Sequence, residues 1–593
     1  MDPSELRQRA ERWMRDDPDP RTREELRALL ALPDDVASDL QDRFASALEF
    51  GTAGLRGILA AGPNRMNRAV VARATWGLAK QVLAAVPGAA QRGVVVGGDA
   101  RHLSRELSED AAAILGAAGL RVVLFREPVP TPLVGFAVKK LGAAAGVVVT
   151  ASHNPPEYNG YKVYWQNAAQ IIPPVDAQIA AAIERAPAAV DVPRPPLEEL
   201  IARGVVTVAS AELARAYLDA LRGLAVNAHE GDRAIRIVYT PLHGVGDALL
   251  RRAMAEAGFT DVTSVPEQQQ PDGAFPTVAF PNPEEKGAMD LSLALARKTG
   301  AALVLANDPD ADRLAVAVAM GEDGGEDGER SFRQLTGNQV GALLGHYLLT
   351  EKPAAGRRAV IASLVSSPLL GHMAASFGVR YEETLTGFKW IANRAIELEG
   401  EGFEFVFGFE EALGYCVGGA VRDKDGISAA VLAAEVAAVL GQRGSSIPAQ
   451  LEAIARRWGV FTSSQVNVVR KGAAGVVAIG HMMDGLRKGP PRAIGGDVVV
   501  ALSDYEARTR TLTASGASTP LTLPRSNVLS FELASGSRVI ARPSGTEPKA
   551  KFYFDVRQAV APGEAVERAT ARAVAEMRKL EVAFSALAVS SKS

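Results

Sequence analysis

Two stretches of this 593-residue chain carry side chains whose types and spacing suit a reaction centre. In "NDPDADR", Asp308, Asp310 and Asp312 fall at every second position, and Pro309 opposes helix formation. Alternate residues of an extended or curved loop project to one side, so the three carboxylates repel one another unless a cation lies among them. Hard oxygen donors favour Mg²⁺, with room left for a phosphate oxygen. A solvated acidic turn is the plainer alternative. An aspartyl-phosphate nucleophile is a further rival, weakened by the equivalence of three aspartates. In "VVVTASHNPPEYNGYKVYW", an apolar strand pattern stops abruptly and presents Ser152 and His153 on a proline-bearing loop, with Lys162 following. No G-x-S-x-G elbow and no Asp-His-Ser spacing surrounds Ser152, which argues against a hydrolase triad. A serine beside a metal loop can instead carry a phosphoryl group, neutralised by Mg²⁺ and held by Lys or Arg. For His153 the alternative role is a hydrogen bond that ties down the loop.

Two further stretches suit phosphate. "GTAGLRG" (51–57) places Arg56 on a glycine-rich loop. In "RPSGTEPKAKF" (542–552), Arg542, Ser544, Gly545 and Thr546 supply a guanidinium fork, two hydroxyls and backbone amides at a glycine turn. The Walker pattern is absent, so nucleotide binding is not implied. An ordinary turn between strands is the alternative.

The elements around these loops repeat. Three Ala-rich helix patterns end at Gly119, Gly258 and Gly378 and lead into strands. Later in each unit, Gly142, Gly300 and Gly402 precede a short apolar strand and a polar loop. These loops hold the Ser-His pair, the Asp triplet and the pair Glu410-Glu411. The pattern implies three degenerate copies of one α/β domain. Open α/β sheets bind ligands beyond the carboxyl ends of their strands, so three copies sharing a cleft would bring the loops together. The expected divisions are a helical extension (1–44) with Leu26, Leu29 and Leu30 on one face, then domains at 45–200, 205–320, 331–485 and 490–580, and a frayed tail (581–593). "APAAVDVPRPP" (186–196) reads as a linker and "GEDGGEDGER" (321–330) as a solvated hairpin tip.

Bulk properties exclude some classes. Lys plus Arg is 65 against 68 for Asp plus Glu, a net charge of -3, which does not suggest a nucleic-acid binder. Cys416 is the only cysteine, so no intrachain disulfide can form, in keeping with a reducing compartment. The charged N-terminus is unlike a signal peptide, and no apolar run reaches the roughly 20 residues of a membrane span. The expectation is a cytoplasmic protein without membrane partners.

"TASHNPPEYNGYK", "NDPDADR", "GFEEALGY" and "RPSGTEPK", in this order and spacing, resemble the α-D-phosphohexomutase superfamily over roughly residues 45–580. "TGFKWIANR" and "FEEALGY" are most similar to its phosphoglucomutase and phosphopentomutase branch. The resemblance implies a four-domain α/β architecture around a central cleft: three similar mixed α/β domains and a C-terminal α+β domain. It implies that Ser152 carries the phosphoryl group and joins Asp308, Asp310 and Asp312 in holding one Mg²⁺ per chain. Arg56, His153, Lys162 and Lys389 are then expected around the reacting phosphoryl group. Arg313, Thr386, Gly387, Glu410, Glu411, Lys424, Arg542, Ser544, Gly545 and Thr546 are expected to bind substrate. The implied activity interconverts glucose 1-phosphate and glucose 6-phosphate, with a sugar 1,6-bisphosphate as activator, in a monomer or dimer. Phosphopentomutase, phosphomannomutase, a phosphatase and a silent sugar-phosphate-binding protein are the alternatives. One departure stands out: the serine often found two residues after the sugar-loop glutamate is Ala412 here.

Overall fold

The computed structural model describes residues 3–32, 37–49, 54–320, 331–353, 356–470, 472–543 and 549–590. The acidic glycine stretch 321–330 and the candidate phosphate-loop residues Ser544, Gly545 and Thr546 lie outside them. The chain divides into two compact units, Met1–Leu335 with Ala412–Arg443, and Thr336–Glu411 with Gly444–Ser593.

In the first unit, a six-stranded sheet runs in the order Leu55–Ile58, Tyr158–Trp165, Ala145–Val149, Val94–Gly98, Val122–Leu124, Val206–Val208. Its centre is parallel: Val94–Gly98 pairs in parallel with both Val122–Leu124 and Ala145–Val149. Both central strands are buried along their whole length, which is why they read as unbroken valine runs. A five-stranded sheet follows, ordered Ser331–Gln334, Ala315–Met320, Leu303–Ala306, Ile237–Thr240, Val262–Ser264. Here Ile237–Thr240 pairs in parallel with Val262–Ser264 and Leu303–Ala306. In the second unit, Arg358–Ser363 pairs in parallel with Arg380–Thr384 and Glu404–Glu410.

The repeat inferred from the glycine junctions is therefore a shared topology. In each copy a first strand is flanked by the two strands that follow the two glycines. Gly119, Gly258 and Gly378 have φ of 95°, 91° and 63°, so each ends its helix in a conformation that only glycine adopts without strain. The polar loops all follow the same strand of the repeat: Ala145–Val149, Leu303–Ala306 and Glu404–Glu410.

Several boundaries differ from the sequence expectation. Val206–Val208 belongs to the first sheet and Ser331–Gln334 to the second, so those domains reach past 200 and 320. The 186–196 stretch is packed, not a free linker: Ala189 and Val192 are buried, and Arg194 pairs with Asp110 at 2.7 Å. The eight-stranded C-terminal sheet begins with Val460–Val469, which pairs along its length with Lys549–Gln558, and the helix Gly472–Lys488 buries Ile479, Met482 and Met483 against the same core. The C-terminal domain thus starts near 460, not 490. The last helix runs Val566–Ser590, so most of the expected tail is helical. At the N-terminus, three helices bury Leu6, Ala10, Leu26, Leu40 and Phe44 against Ala61. Among the described residues no single helix is long and apolar enough to cross a membrane.

The second unit carries a testable pH signature. His346 lies edge-on to Trp458, with ring centroids 5.6 Å apart. Burial, then the charge of Arg457, pushes its pKa down from 6.5 to about 4. A histidine with a depressed folded pKa stabilises the fold fully above its unfolded value and loses that contribution as the pH falls. Between pH 7 and 5 the second unit should lose about 1–2 kcal/mol, read as a lower urea midpoint. His346→Gln should show a smaller loss over the same interval; an equal loss would assign it to other groups.

Candidate active site

The strand Ala145–Val149 delivers Ser152 to a tight turn. Its φ is 53°, in the left-handed region that a non-glycine residue holds only when its surroundings impose it. Thr150 and Asp99 are part of those surroundings. Thr150 Oγ1 accepts the Ser152 N–H at 2.9 Å and donates to Asp99 Oδ2 at 2.6 Å. Held this way, Ser152 Oγ donates to Asp308 Oδ2 at 2.7 Å, across 156 residues of sequence. His153 Nδ1 lies 3.3 Å from the same oxygen. Burial, then the charges of Arg313 and Arg56, holds the imidazole pKa well below its usual value, so the ring is neutral near pH 7.

The aspartates follow Leu303–Ala306 and are fully buried. Ala311, at φ 56°, bends the loop so that one oxygen from each of Asp308, Asp310 and Asp312 lies within 4.8 Å of the others. Asp310 Oδ1 and Asp312 Oδ1 are buried without a hydrogen-bond partner. Such orphaned oxygens are costly unless something positive meets them. Burial, then Asp310 and Asp312, raises the Asp308 pKa well above the carboxylate range. Asp312 is held below that range because Lys162, Lys424 and Arg313 outweigh its burial. A compact all-oxygen cluster with unsatisfied anionic atoms fits a hard divalent cation such as Mg²⁺.

Cations surround the cluster. Lys162 donates to Asp310 Oδ2 at 2.7 Å and Asp312 Oδ2 at 3.0 Å. It stands on the strand Tyr158–Trp165, the antiparallel neighbour of Ala145–Val149 in the sheet. Burial lowers its pKa, but Asp310 and Asp312 raise it more, so Lys162 stays charged and is no ready base. Lys424 Nζ lies 3.1 Å from Asp312 Oδ2, and Arg313 Nε lies 3.9 Å from both Asp308 and Asp312. Lys424 is in the first unit because Ala412–Arg443 groups there, not with the rest of the expected third domain. Arg56 occupies the strand Leu55–Ile58, not a loop, and donates to Asn154 Oδ1 at 2.9 Å. Burial, then Arg313, pushes its pKa down to about 10, which leaves it charged.

The second unit holds the other predicted residues. The Gly387 N–H donates to Glu410 Oε1 at 2.7 Å. Glu411 Oε2 accepts from Ser363 Oγ at 3.3 Å and Ser366 Oγ at 3.2 Å. Lys389 is buried in the first turn of Phe388–Gly400. Thr386 Oγ1 is buried without a partner. Arg542 lies on Arg538–Pro543, opposite Lys551 of Lys549–Gln558.

Sequence reasoning passed over Asp99, Thr150 and Thr131. Thr131 donates Oγ1 to Asp310 Oδ2 at 2.6 Å and its N–H to the Asp310 carbonyl at 2.9 Å. The "GGDAR" turn after a valine strand was the available signal for Asp99.

Comparison with known proteins bears on the same segments. The families described as phosphoglucomutase/phosphomannomutase, alpha/beta/alpha domains I, II and III match residues 47–189, 215–321 and 336–456. The chain is 36% identical to human phosphopentomutase over 576 residues, covering 93% of this chain and 91% of that protein. It is 35% identical to human glucose 1,6-bisphosphate synthase, covering 92% and 89%. A crystal structure of a phosphoglucomutase/phosphomannomutase family protein from Burkholderia thailandensis superposes with a TM-score of 0.63 at 19% identity, over 91% of this chain and 96% of that one, which shows a shared fold. The serine turn, the aspartate loop and the Glu410 strand end each fall inside one of the three matched segments, and the chain belongs to the α-D-phosphohexomutase superfamily as a phosphomutase.

Proposed function

We propose that the enzyme moves a phosphoryl group between the 1-position and the terminal hydroxyl of an aldose phosphate by way of phospho-Ser152. The observation that carries this reading is the 2.7 Å contact of Ser152 Oγ with a carboxylate cluster in which Asp310 Oδ1 and Asp312 Oδ1 are buried without a hydrogen-bond partner. In the first half-reaction the Ser152 O–P bond breaks, a sugar hydroxyl oxygen bonds the phosphorus and loses its proton, and a proton returns to Ser152 Oγ, giving a bisphosphorylated sugar. In the second, the sugar's other phosphate passes to Ser152 Oγ. Mg²⁺ held by Asp308, Asp310, Asp312 and the serine phosphate would neutralise the charge on the transferring group. Arg56, Lys162 and Arg313 offset the remaining charge from fixed positions. His153, neutral and adjacent, can take or return the Ser152 proton when the serine is unphosphorylated. Glu410, Glu411, Thr386 and Gly387 are assigned to the sugar. Lys389 and Lys424 are assigned to substrate oxygens. Arg542, with Ser544, Gly545 and Thr546, is assigned to the phosphate that is not reacting. A sugar bisphosphate primes Ser152 for the first turnover.

The sugar is read as pentose first and glucose second. Ala412 supplies no side-chain hydrogen bond, and its carbonyl already accepts from Arg313 at 3.0 Å. A site without that hydroxyl does not penalise a sugar lacking the matching group. The similarity to human phosphopentomutase points the same way. Glucose phosphates remain the second reading because the other human relative is named for glucose 1,6-bisphosphate. Ribose 1-phosphate should show the higher kcat/KM, with glucose 1-phosphate still turned over. Ala412→Ser should shift the ratio towards glucose by about 1–2 kcal/mol, one net hydrogen bond. An unchanged ratio would remove Ala412 from substrate choice, and a wild-type preference for glucose would reverse the order of the two sugars.

A further inference from the structure

Arg101 holds the serine turn from behind. It follows the strand Val94–Gly98, and its side chain is fully buried. One terminal nitrogen donates to the carbonyls of Ser152 and Asn154, each at 2.6 Å. The other donates to the carbonyls of Pro155 at 2.9 Å and Tyr158 at 3.2 Å. Asp99 Oδ2 lies 3.2 Å from its Nε, so the guanidinium is paired as well as hydrogen-bonded. Four carbonyls of one turn thus converge on one planar cation, a geometry that a lysine cannot reproduce.

The second domain closes over this clamp. The ring of Phe275 lies 4.9 Å from the Arg101 guanidinium carbon. Phe275 has φ 49°, an unusual backbone for a bulky residue, and is buried. Gly273 is packed so closely that a Cβ there would lie 2.8 Å from the Ala100 carbonyl and 2.9 Å from the His102 nitrogen. The segment is tied to the turn after Ile237–Thr240: the His243 N–H donates to the Gln268 carbonyl, and the Asp272 N–H to the His243 carbonyl, both at 2.9 Å. The same turn reaches the aspartate loop, where the Val245 N–H donates to the Pro309 carbonyl at 2.9 Å. One support therefore touches both the aspartate loop and the back of the serine clamp.

We propose that Arg101, locked by the Phe275 ring from the second domain, is the positioning residue that aims Ser152 Oγ at the aspartate cluster. The proposal rests on Ser152 as the phosphoryl carrier. Transfer to a sugar hydroxyl needs donor and acceptor aligned, whereas water can approach a loosened phosphoserine from more directions. In that leak the Ser152 O–P bond breaks, the water oxygen bonds phosphorus, and a proton returns to Ser152 Oγ.

The test uses full-length Arg101→Lys, which keeps the charge, and Phe275→Leu, which keeps apolar bulk without the ring face. Each is labelled from a sugar bisphosphate carrying radioactive phosphate, and isomer and inorganic phosphate are measured together. The expected result is a kcat lower by about 10–100-fold with KM within about threefold. The ratio of phosphate released to isomer formed should rise at least tenfold in Arg101→Lys and less in Phe275→Leu, with Ser152 still labelled. A folded Arg101→Lys with wild-type kcat and ratio overturns the proposal. If that variant does not fold, an unchanged ratio in Phe275→Leu overturns it. Absence of label on Ser152 in the wild type overturns the phosphoserine reading itself, a distinct result.

Discussion

Ser152→Ala should lower mutase turnover by roughly 10⁴-fold or more, because the atom proposed to give up the phosphoryl group in one half-reaction and accept it in the other is gone. The fold should survive. The substitution removes one hydrogen bond to Asp308 and leaves alanine in a left-handed turn, together a change of about 1–2 kcal/mol. Label from a sugar bisphosphate should appear on Ser152 in the wild type and nowhere in the variant. Stable labelling of another residue, with Ser152 blank, would move the carrier elsewhere. The turn residues Thr150 and Asp99 predict a gradation: their loss should slow the reaction without abolishing labelling, since Oγ remains.

Asp310→Asn is expected to be nearly as damaging, through the metal. Its Oδ1 is one of the buried oxygens without a partner, and its Oδ2 already serves Lys162 and Thr131. An amide there removes a charge and puts a donor where a cation would sit. The half-saturating Mg²⁺ concentration should rise by about 10–100-fold or more, and kcat should fall by a similar factor. Mg²⁺ should raise the wild-type melting temperature and raise that of the variant much less, a readout independent of turnover. Full wild-type activity in excess chelator, after bound metal has been stripped, would end the metal assignment.

The strand-end loops were legible in the sequence because their chemistry is local. An apolar run that stops at "TASHN", or at "NDPDAD", shows both the strand and the polar group it carries. Domain edges were not legible, because Val206–Val208, Ser331–Gln334 and Val460–Val469 join their sheets by pairing with distant strands. A short β-rich stretch does not state its partner. Arg56 read as a loop residue because its glycines suggest a turn, yet Leu55–Ile58 is drawn into an edge strand against Tyr158–Trp165. Arg101 carried no signal of its own, since a charged residue after a strand ordinarily faces solvent. The sugar was the least legible part: Ala412 marks a missing hydroxyl, and an absence does not name the ligand that fits.

The contacts that define the centre span long stretches of chain: 156 residues between Ser152 and Asp308, 179 between Thr131 and Asp310, and 148 between Lys162 and Asp310. During synthesis the first sheet can be complete once Val206–Val208 has emerged, while its serine still faces no aspartate. Nascent domains generally fold in order from the N-terminus. Ser152 is therefore placed early and meets its aspartate partner late. A fragment ending near residue 208 would have a core and the Ser152 hydroxyl but no aspartate cluster beside it.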